Sequence, residues 1–495
     1  MKRILCSTAI LLSLTVNISS IPACAQESGA IEKPKLFTPA QTREDFKIVR
    51  NALEEGHPGV YRYTPKKDMD RLFDEQESKL DHPMDVYDFF RIVAPVIAAV
   101  RCGHTGVNPS VEENERFDKS VPVLPFQIRM IGNKITIFRD YTSEDGGLAG
   151  SKIHSINGMR SDKIVKLLLA LESGDGDIPT SRLRQLGQTF SKKLSIFLKM
   201  KAPYTVTYSP FNGGKAQSVT LAGITSTRLK EIAGVKYPQD NVRRDHSADL
   251  SFLDENKIAV MSIYGFVGFA DKEQKKPLNA FIDESFAQFA QKGTKTLIID
   301  VRNNGGGEDE LGKQLFSYLI DKPFPYYDEL LINALKFGFL QYAGNAEAIP
   351  ENLTQKLPDG RYRLTSHPNW GIQQPGKPMF RGRVLILING GSFSTTGEFL
   401  STVHFHHRAV FIGEEAGAGY YGNNSGFMHI LTLPNTQVRI RVPLMKYVMA
   451  VSGYRYPRRG VMPDVKVQPT IADMLAGRDP EMAVALDIAR GKRTK

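Results

Sequence analysis

Cysteine is nearly absent from this chain. Its 495 residues hold three, Cys6, Cys24 and Cys102, too few to staple domains of this size together. Long apolar runs are missing too: beyond the N-terminal stretch nothing approaches the roughly 20 residues that a membrane-spanning helix needs. There is no internal repeat and no low-complexity tract, which excludes solenoid and fibrous architectures. A concentrated basic face is also lacking. Sixty-four basic against 53 acidic residues give +11, but the excess is dispersed. Of the candidate patches, Arg243-Arg244, Tyr454 to Arg459 and Arg490 to Lys495, only the second mixes cations with aromatics as a nucleic-acid surface would. All three read as solvated surface, and no nucleic-acid partner is expected. What remains is ordinary globular composition, 41% hydrophobic and 24% charged, with length for about three domains.

Residues 1–25 read as an export signal. Lys2 and Arg3 precede an apolar run from Ile4 to Val16, and Ala23-Cys24-Ala25 offers small residues for cleavage. The run is too short and too interrupted by Ser7, Thr8, Ser13 and Thr15 to be an anchor. Ile21-Pro22-Ala23-Cys24 also resembles a lipoprotein box, so membrane association is expected only if Cys24 is lipidated. Cleavage at Ala25 would remove Lys2 and Arg3, lowering the charge by two, and would leave Cys102 as the single thiol, with no intramolecular disulfide. A periplasmic or secreted protein is expected.

Three segments follow. Residues 40–108 form a helical domain: Phe46, Val49 and Leu53, then Met69, Leu72 and Phe73, then Phe89, Phe90, Val93 and Ile97 recur at helical spacing. His57-Pro58-Gly59 and His82-Pro83 punctuate them. Residues 120–225 read as short β-runs, with a hairpin turn at Gly132-Asn133 and a strand and turn, Gly150 to Met159, leading into a helix from Ser161 to Leu171. That string looks like the second half of a PDZ domain, which binds extended peptides by strand addition; a generic β-hairpin module is the alternative. Residues 245–490 alternate strands, at Ile258–Ile263, Thr296–Val301, Val384–Ile388 and Val410–Ile412, with amphipathic helices at Leu278–Gln291, Leu311–Ile320 and Thr395–Val403. Such alternation predicts an α/β core. Leu340 to Arg381, rich in Pro and Gly, reads as an insertion or surface excursion.

Two strand ends carry the chemistry. Thr296 to Leu315 delivers Asp300, Arg302 and Asn304 to a strand's carboxyl end, followed by Gly305-Gly306-Gly307. Free backbone amides there suit an oxyanion hole, because they stabilise charge without reorganising. Gly307 to Gln314 also matches the GxxxxGK of a phosphate loop, but Gln314 replaces the magnesium-binding hydroxyl and three carboxylates occupy the phosphate position. Val384 to Ser401 again ends a strand in glycines, Gly390-Gly391, before a hydroxyl-rich helix start. Ser394 there could be a nucleophile facing the positive helix end, or Ser392, Ser394, Thr395 and Thr396 could be caps alone.

Together, Asp300-x-Arg302-x-Asn304-x-Gly306-Gly307 and, about 85 residues on, Gly390-Gly391-Ser392-Phe393-Ser394 resemble the tail-specific, or C-terminal processing, serine peptidases and their tricorn-core relatives. Ile412-Gly413-Glu414, Gly460 to Asp464 and Leu475 to Pro480 fit the same pattern. The resemblance implies a crotonase/ClpP-like α/β catalytic core with an N-terminal helical cap and a PDZ-like β-rich module. It further implies a serine-type peptidase without cofactor or metal, acting on a peptide or protein substrate through extended or C-terminal segments. By that resemblance Ser394 is the nucleophile, and the amides of Gly306 and Thr395 form the oxyanion hole. One branch takes its base from a lysine after the nucleophile helix; Glu415 to Gly422 contains none. The tricorn-like branch uses a histidine in an Asp-Gly-His-Thr-Gly segment, which His104 matches within Cys102-Gly103-His104-Thr105-Gly106.

Departures accompany the match. Cys102 stands where the family has an acid; it could be a thiol nucleophile or a buried small residue. Glu398 follows Ser394 by four positions rather than three, so alignment on that glutamate would make Thr395 the nucleophile. The glutamate that tricorn-like enzymes place before Gly-Val-x-Pro-Asp is replaced by Pro457, Arg458 and Arg459, leaving Glu414 and Glu415 as candidates to orient His104. His404, His406 and His407 have no acidic or thiol partner nearby in sequence and read as a polar helix end, so no metal is expected. The reading is an exported serine endopeptidase, with an inactive peptide- or ligand-binding protein of the same fold as the alternative and an esterase or other acyl hydrolase as a third.

Overall fold

Thr38 opens the first helix, Pro39–Asn51, with a capping box closed by Gln41, and Pro39 supplies a φ already suited to the first turn. The chain is described by a computed structural model over residues 34–142, 147–238, 246–271, 275–344 and 349–494. The stretch expected to be an export signal, Cys24 and Arg243-Arg244 lie outside the described residues. The elements below belong to the unit Leu36–Lys495. Helices Lys66–Glu77 and Val86–Ala99 complete the cap, the latter started by the Asp85 side chain. Their apolar faces meet around Phe46, Phe73, Phe89 and Val93. That cluster is finished by Leu431, Val438, Ile440 and Val442, from a stretch the sequence assigns to the core. The reason is period-two patterning: Ile440 and Val442 are buried while Arg439 and Arg441 point outward. Strand Arg439–Val442 pairs antiparallel with His429–Thr432 on one edge and with Gly106–Asn108 on the other.

The β-rich module has the expected hairpin, Phe126–Ile131 against Lys134–Asp140, turning at Gly132 with φ 59°. Lys152–Ile156, Tyr204–Ser209 and Gln217–Leu221 extend the sheet, and helix Ser161–Leu169 packs on it. The region is less purely β than its short apolar runs suggest. A 19-residue helix, Pro179–Phe197, covers the sheet with Leu186, Phe190 and Leu194 at four-residue spacing.

In the core, strands Ala248–Leu253, Ile258–Ile263, Thr296–Asp300, Arg383–Ile388, Val410–Gly413 and Val465–Lys466 lie side by side in that order, antiparallel for the first pair and parallel thereafter. Helices Leu278–Lys292, Asp309–Ser317 and Thr395–Phe405 pack on one face, and Pro480–Ala489 on the other. Parallel strands need such crossovers, and burial on both faces explains their continuous Leu, Ile and Val. Part of the stretch Leu340 to Arg381 is ordered rather than a mere excursion: Thr354–Lys356 and Tyr362–Leu364 extend a second sheet through Tyr327–Ile332 and Met445–Met449.

Candidate active site

Parallel pairing of Thr296–Asp300 with Arg383–Ile388, in register from Thr296↔Arg383 to Asp300↔Leu387, brings both glycine-rich loops to one sheet edge. Reciprocal amide bonds lock them: Asn303 N donates to Asn389 Oδ1 at 2.9 Å and Asn389 Nδ2 to Asn303 Oδ1 at 2.8 Å. Ser392 donates to Val301 O at 2.8 Å, and Phe393 N to Asn304 O at 3.0 Å. Asp300 and Arg302 serve the scaffold: the Arg302 guanidinium bridges Asp300, Asp479 and Glu481, tying the strand end to the last helix.

Ser394 sits at the sharp turn into helix Thr395–Phe405 with φ 57° and ψ −128°, a backbone state that L-residues seldom occupy. Its hydroxyl makes no capping bond to that helix. It meets His104 Nε2 at 3.0 Å instead. The hydroxyls of Ser392 and Thr395 are occupied otherwise, Thr395 Oγ1 donating to Gly307 O at 2.7 Å. The sequence therefore brings together two groups 290 positions apart.

His104 reaches Ser394 on the loop that follows the cap's third helix. Arg441, from the strand paired with Gly106–Asn108, clamps that loop by donating to His104 O at 2.7 Å and Gly103 O at 3.3 Å. The imidazole lies on the Phe393 ring, with centroids 4.6 Å apart. Gly103 makes this approach possible: a Cβ there would stand 2.6 Å from Phe393 Cζ. Burial pushes the His104 imidazole down to about 3, and Arg441 and His57 push the same way. His104 is thus neutral at neutral pH, as a general base must be. Behind it, His57 accepts the Gly59 amide at Nδ1, which leaves Nε2–H to donate to Thr105 Oγ1 at 2.9 Å. Among the described residues, His104 Nδ1 is one of the buried polar atoms with no hydrogen-bond partner.

Gly306 packs on the Ser394 turn; a Cβ there would lie 2.6 Å from Ser394 Cβ and 2.9 Å from Thr395 N. Its amide already donates to Asn304 Oδ1 at 2.9 Å, so an oxyanion role would require exchanging that bond for the substrate oxygen. The Thr395 amide is one of the first N–H groups of its helix, which a helix leaves without internal partners.

Cys102 is buried and its thiol is pushed up to about 11, by burial and by Asp175, which suits a packing residue rather than a nucleophile. Neither candidate orienting glutamate faces His104. Glu414 accepts from Gly390 N and Gln468 Nε2, while Glu415 is held by Arg459 and Gly460 N. The group that does approach is one that the sequence left unremarked. Cys102, His104 and Asp175 offer side-chain atoms that all lie within 4.8 Å of one another. Asp175 belongs to Ser173-Gly174-Asp175-Gly176-Asp177, an acidic glycine turn that could have been flagged. His404 donates to or accepts from Tyr420 at 2.9 Å and His406 lies against Phe316.

A buried acid network braces the site from below. Tyr327 Oη stands 2.7 Å from Asp309 Oδ2 and 2.8 Å from Glu398 Oε2. Burial, reinforced by Asp309, pushes the Glu398 carboxyl up to about 7. A cleft of about 220 Å³ runs between strand Phe126–Ile131, helix Pro179–Phe197 and the core loop at Asn389.

Residues 257–467 match the peptidase family S41. No curated protein matches the chain. Among solved structures, mature CPAF is similar at 14% identity over 92% of this chain and 99% of that one, with a TM-score of 0.61. Mature CPAF complexed with lactacystin gives 14% identity over 91% and 98%, with a TM-score of 0.63. At that identity the likeness concerns the fold. No helix among the described residues is long and apolar enough to cross a membrane.

Proposed function

From the match of residues 257–467 to peptidase family S41 we propose that the protein is a serine-type hydrolase of that family, an exported serine endopeptidase that cleaves a peptide or protein through an acyl-enzyme on Ser394. The observation that carries this reading is the 3.0 Å approach of His104 Nε2 to a Ser394 hydroxyl that caps nothing. Ser394 Oγ attacks the scissile carbonyl carbon as its proton passes to His104 Nε2. The oxyanion is met by the Thr395 amide, joined by Gly306 once Asn304 releases it, and by the positive end of helix Thr395–Phe405. His104 then returns the proton to the departing amine. Water, deprotonated by the same imidazole, cleaves the ester and restores both groups. Export rests on the Lys2 to Ala25 pattern. The cleft beside strand Phe126–Ile131 supports capture of an extended or C-terminal segment by the PDZ-like module.

The alternative, a binding protein of the same fold, draws on Arg458 and Arg459 standing where tricorn-like enzymes place glutamate. One assay divides the readings. A fluorophosphonate probe should label the mature protein, with labelling and peptide turnover lost in Ser394→Ala and kept in Thr395→Ala. Peptide binding with no labelling at any pH would favour the scaffold, and labelling that survives Ser394→Ala would remove the assigned nucleophile.

A further inference from the structure

We propose that Asp175, contributed by the β-rich module, is the positioning residue that orients His104 and supports its protonated form, in place of an acid from the core. This rests on the Ser394–His104 reading above. For Nε2 to accept the serine proton, the ring's own proton must sit on Nδ1. That Nδ1 is buried and has no hydrogen-bond partner, so the resting loop leaves a donor facing into the protein. The groups around the ring are Phe393, Arg441, His57, Cys102 and Asp175. Arg441 repels an imidazolium, His57 is neutral with both ring nitrogens engaged by Gly59 and Thr105, Phe393 is apolar and Cys102 is a poor acceptor. Asp175 is the one carboxyl among them. Its nearest side-chain oxygen lies within 4.8 Å of a His104 ring nitrogen.

The carboxylate is built into place. Asp175 is 2% exposed. Its Oδ1 accepts the amide of Gly103, the residue before His104, at 2.8 Å, and its Oδ2 accepts that of Gly419 at 3.2 Å. Burial holds its carboxyl above the usual carboxylate range, and the two amides and Arg62 offset this in part by favouring the ionised form. One side chain thus ties the histidine loop to the segment after the nucleophile helix. When the serine proton reaches Nε2, the imidazolium keeps its Nδ1 proton and Asp175 keeps its negative charge. No proton is relayed further. The separation is long for a hydrogen bond, and catalytic contacts commonly shorten when substrate fills the site.

The test uses the full mature chain and a peptide substrate, with Ser394→Ala as the reference for lost chemistry. Asp175→Asn keeps an oxygen acceptor for one amide but removes the charge. Its kcat should fall on the order of 10²- to 10⁴-fold with KM changed little. The acid limb of kcat/KM should move to lower pH, because the imidazolium loses its counter-charge. An unchanged kcat and acid limb overturns the proposal, and so does a lower kcat with an unmoved acid limb, which would make Asp175 a loop anchor. Should Asp175→Asn not fold, proton NMR of the phosphonylated wild type decides: a strongly deshielded Nδ1–H on His104 is expected, and its absence overturns the proposal. Wild type that neither labels nor turns over, or Ser394→Ala that stays active, instead overturns the serine–histidine reading, and this one with it, without reference to Asp175.

Discussion

A serine held at φ 57° and ψ −128° stores strain, roughly 1–3 kcal/mol for such a state. Glycine carries no such penalty. Ser394→Gly is therefore expected to melt at a higher temperature than wild type while abolishing turnover, whereas Ser394→Ala loses turnover without that gain. Thermal unfolding of the three proteins checks this; equal melting temperatures for the glycine and alanine variants would count against strain at the nucleophile. At this scale the sequence was readable where function sits in short strings. Gly390-Gly391-Ser392-Phe393-Ser394 and Gly103-His104-Thr105-Gly106 each name a residue and its neighbours. Asp175 was not readable, because its significance comes from amides at Gly103 and Gly419, distant along the chain.

Between elements, the nucleophile helix Thr395–Phe405 and helix Asp309–Ser317 are joined by one phenolic proton. Tyr327 can donate to Asp309 or to Glu398 but not to both; His367 Nε2, 3.1 Å from Asp309 Oδ2, answers the Asp309 side, and burial with the nearby Asp309 raises Glu398 to about 7, so below that pH it shares a proton of its own with the network. A carboxyl with a raised folded-state pKa contributes stability that is fully present below its unfolded value of 4.5 and is lost as pH rises through 7. Glu398→Gln mimics the protonated form and does not titrate. Its stability relative to wild type should rise between pH 5 and 7, on the order of 1.4 kcal/mol per pH unit. Urea melts at the two pH values measure it, and parallel stabilities would refute the shared proton. Element boundaries in the core were legible because Ile258–Met261 and Val384–Ile388 are unbroken apolar runs. Helix Pro179–Phe197 was missed, its three main anchors being diluted by Ser, Lys, Gln and Thr.

Across the whole molecule, three distant stretches of chain meet beside Ser394. His104 comes from the cap, Asp175 from the module and Ser394 from the core. Residues 245–490 expressed alone should therefore not label with fluorophosphonate. They should also associate, since Leu431, Val438, Ile440 and Val442 lose the helices they pack against. A monomeric, labelled fragment would show that the imidazole is dispensable. The order of helical, β-rich and alternating stretches was legible from hydrophobic periodicity, but strands 429–432 and 439–442 were not assigned to the helical stretch, because pairing partners hundreds of positions apart leave no local mark.

The strand Gly106–Asn108 is stitched to Arg439–Val442, and that stitch governs how this scaffold could be recombined. Transplanting the cap from a relative would mean exchanging two separated stretches at once, residues 36–108 together with 429–444. A chimera that replaces the first alone would set a foreign imidazole loop against a strand whose arginine was shaped for another backbone.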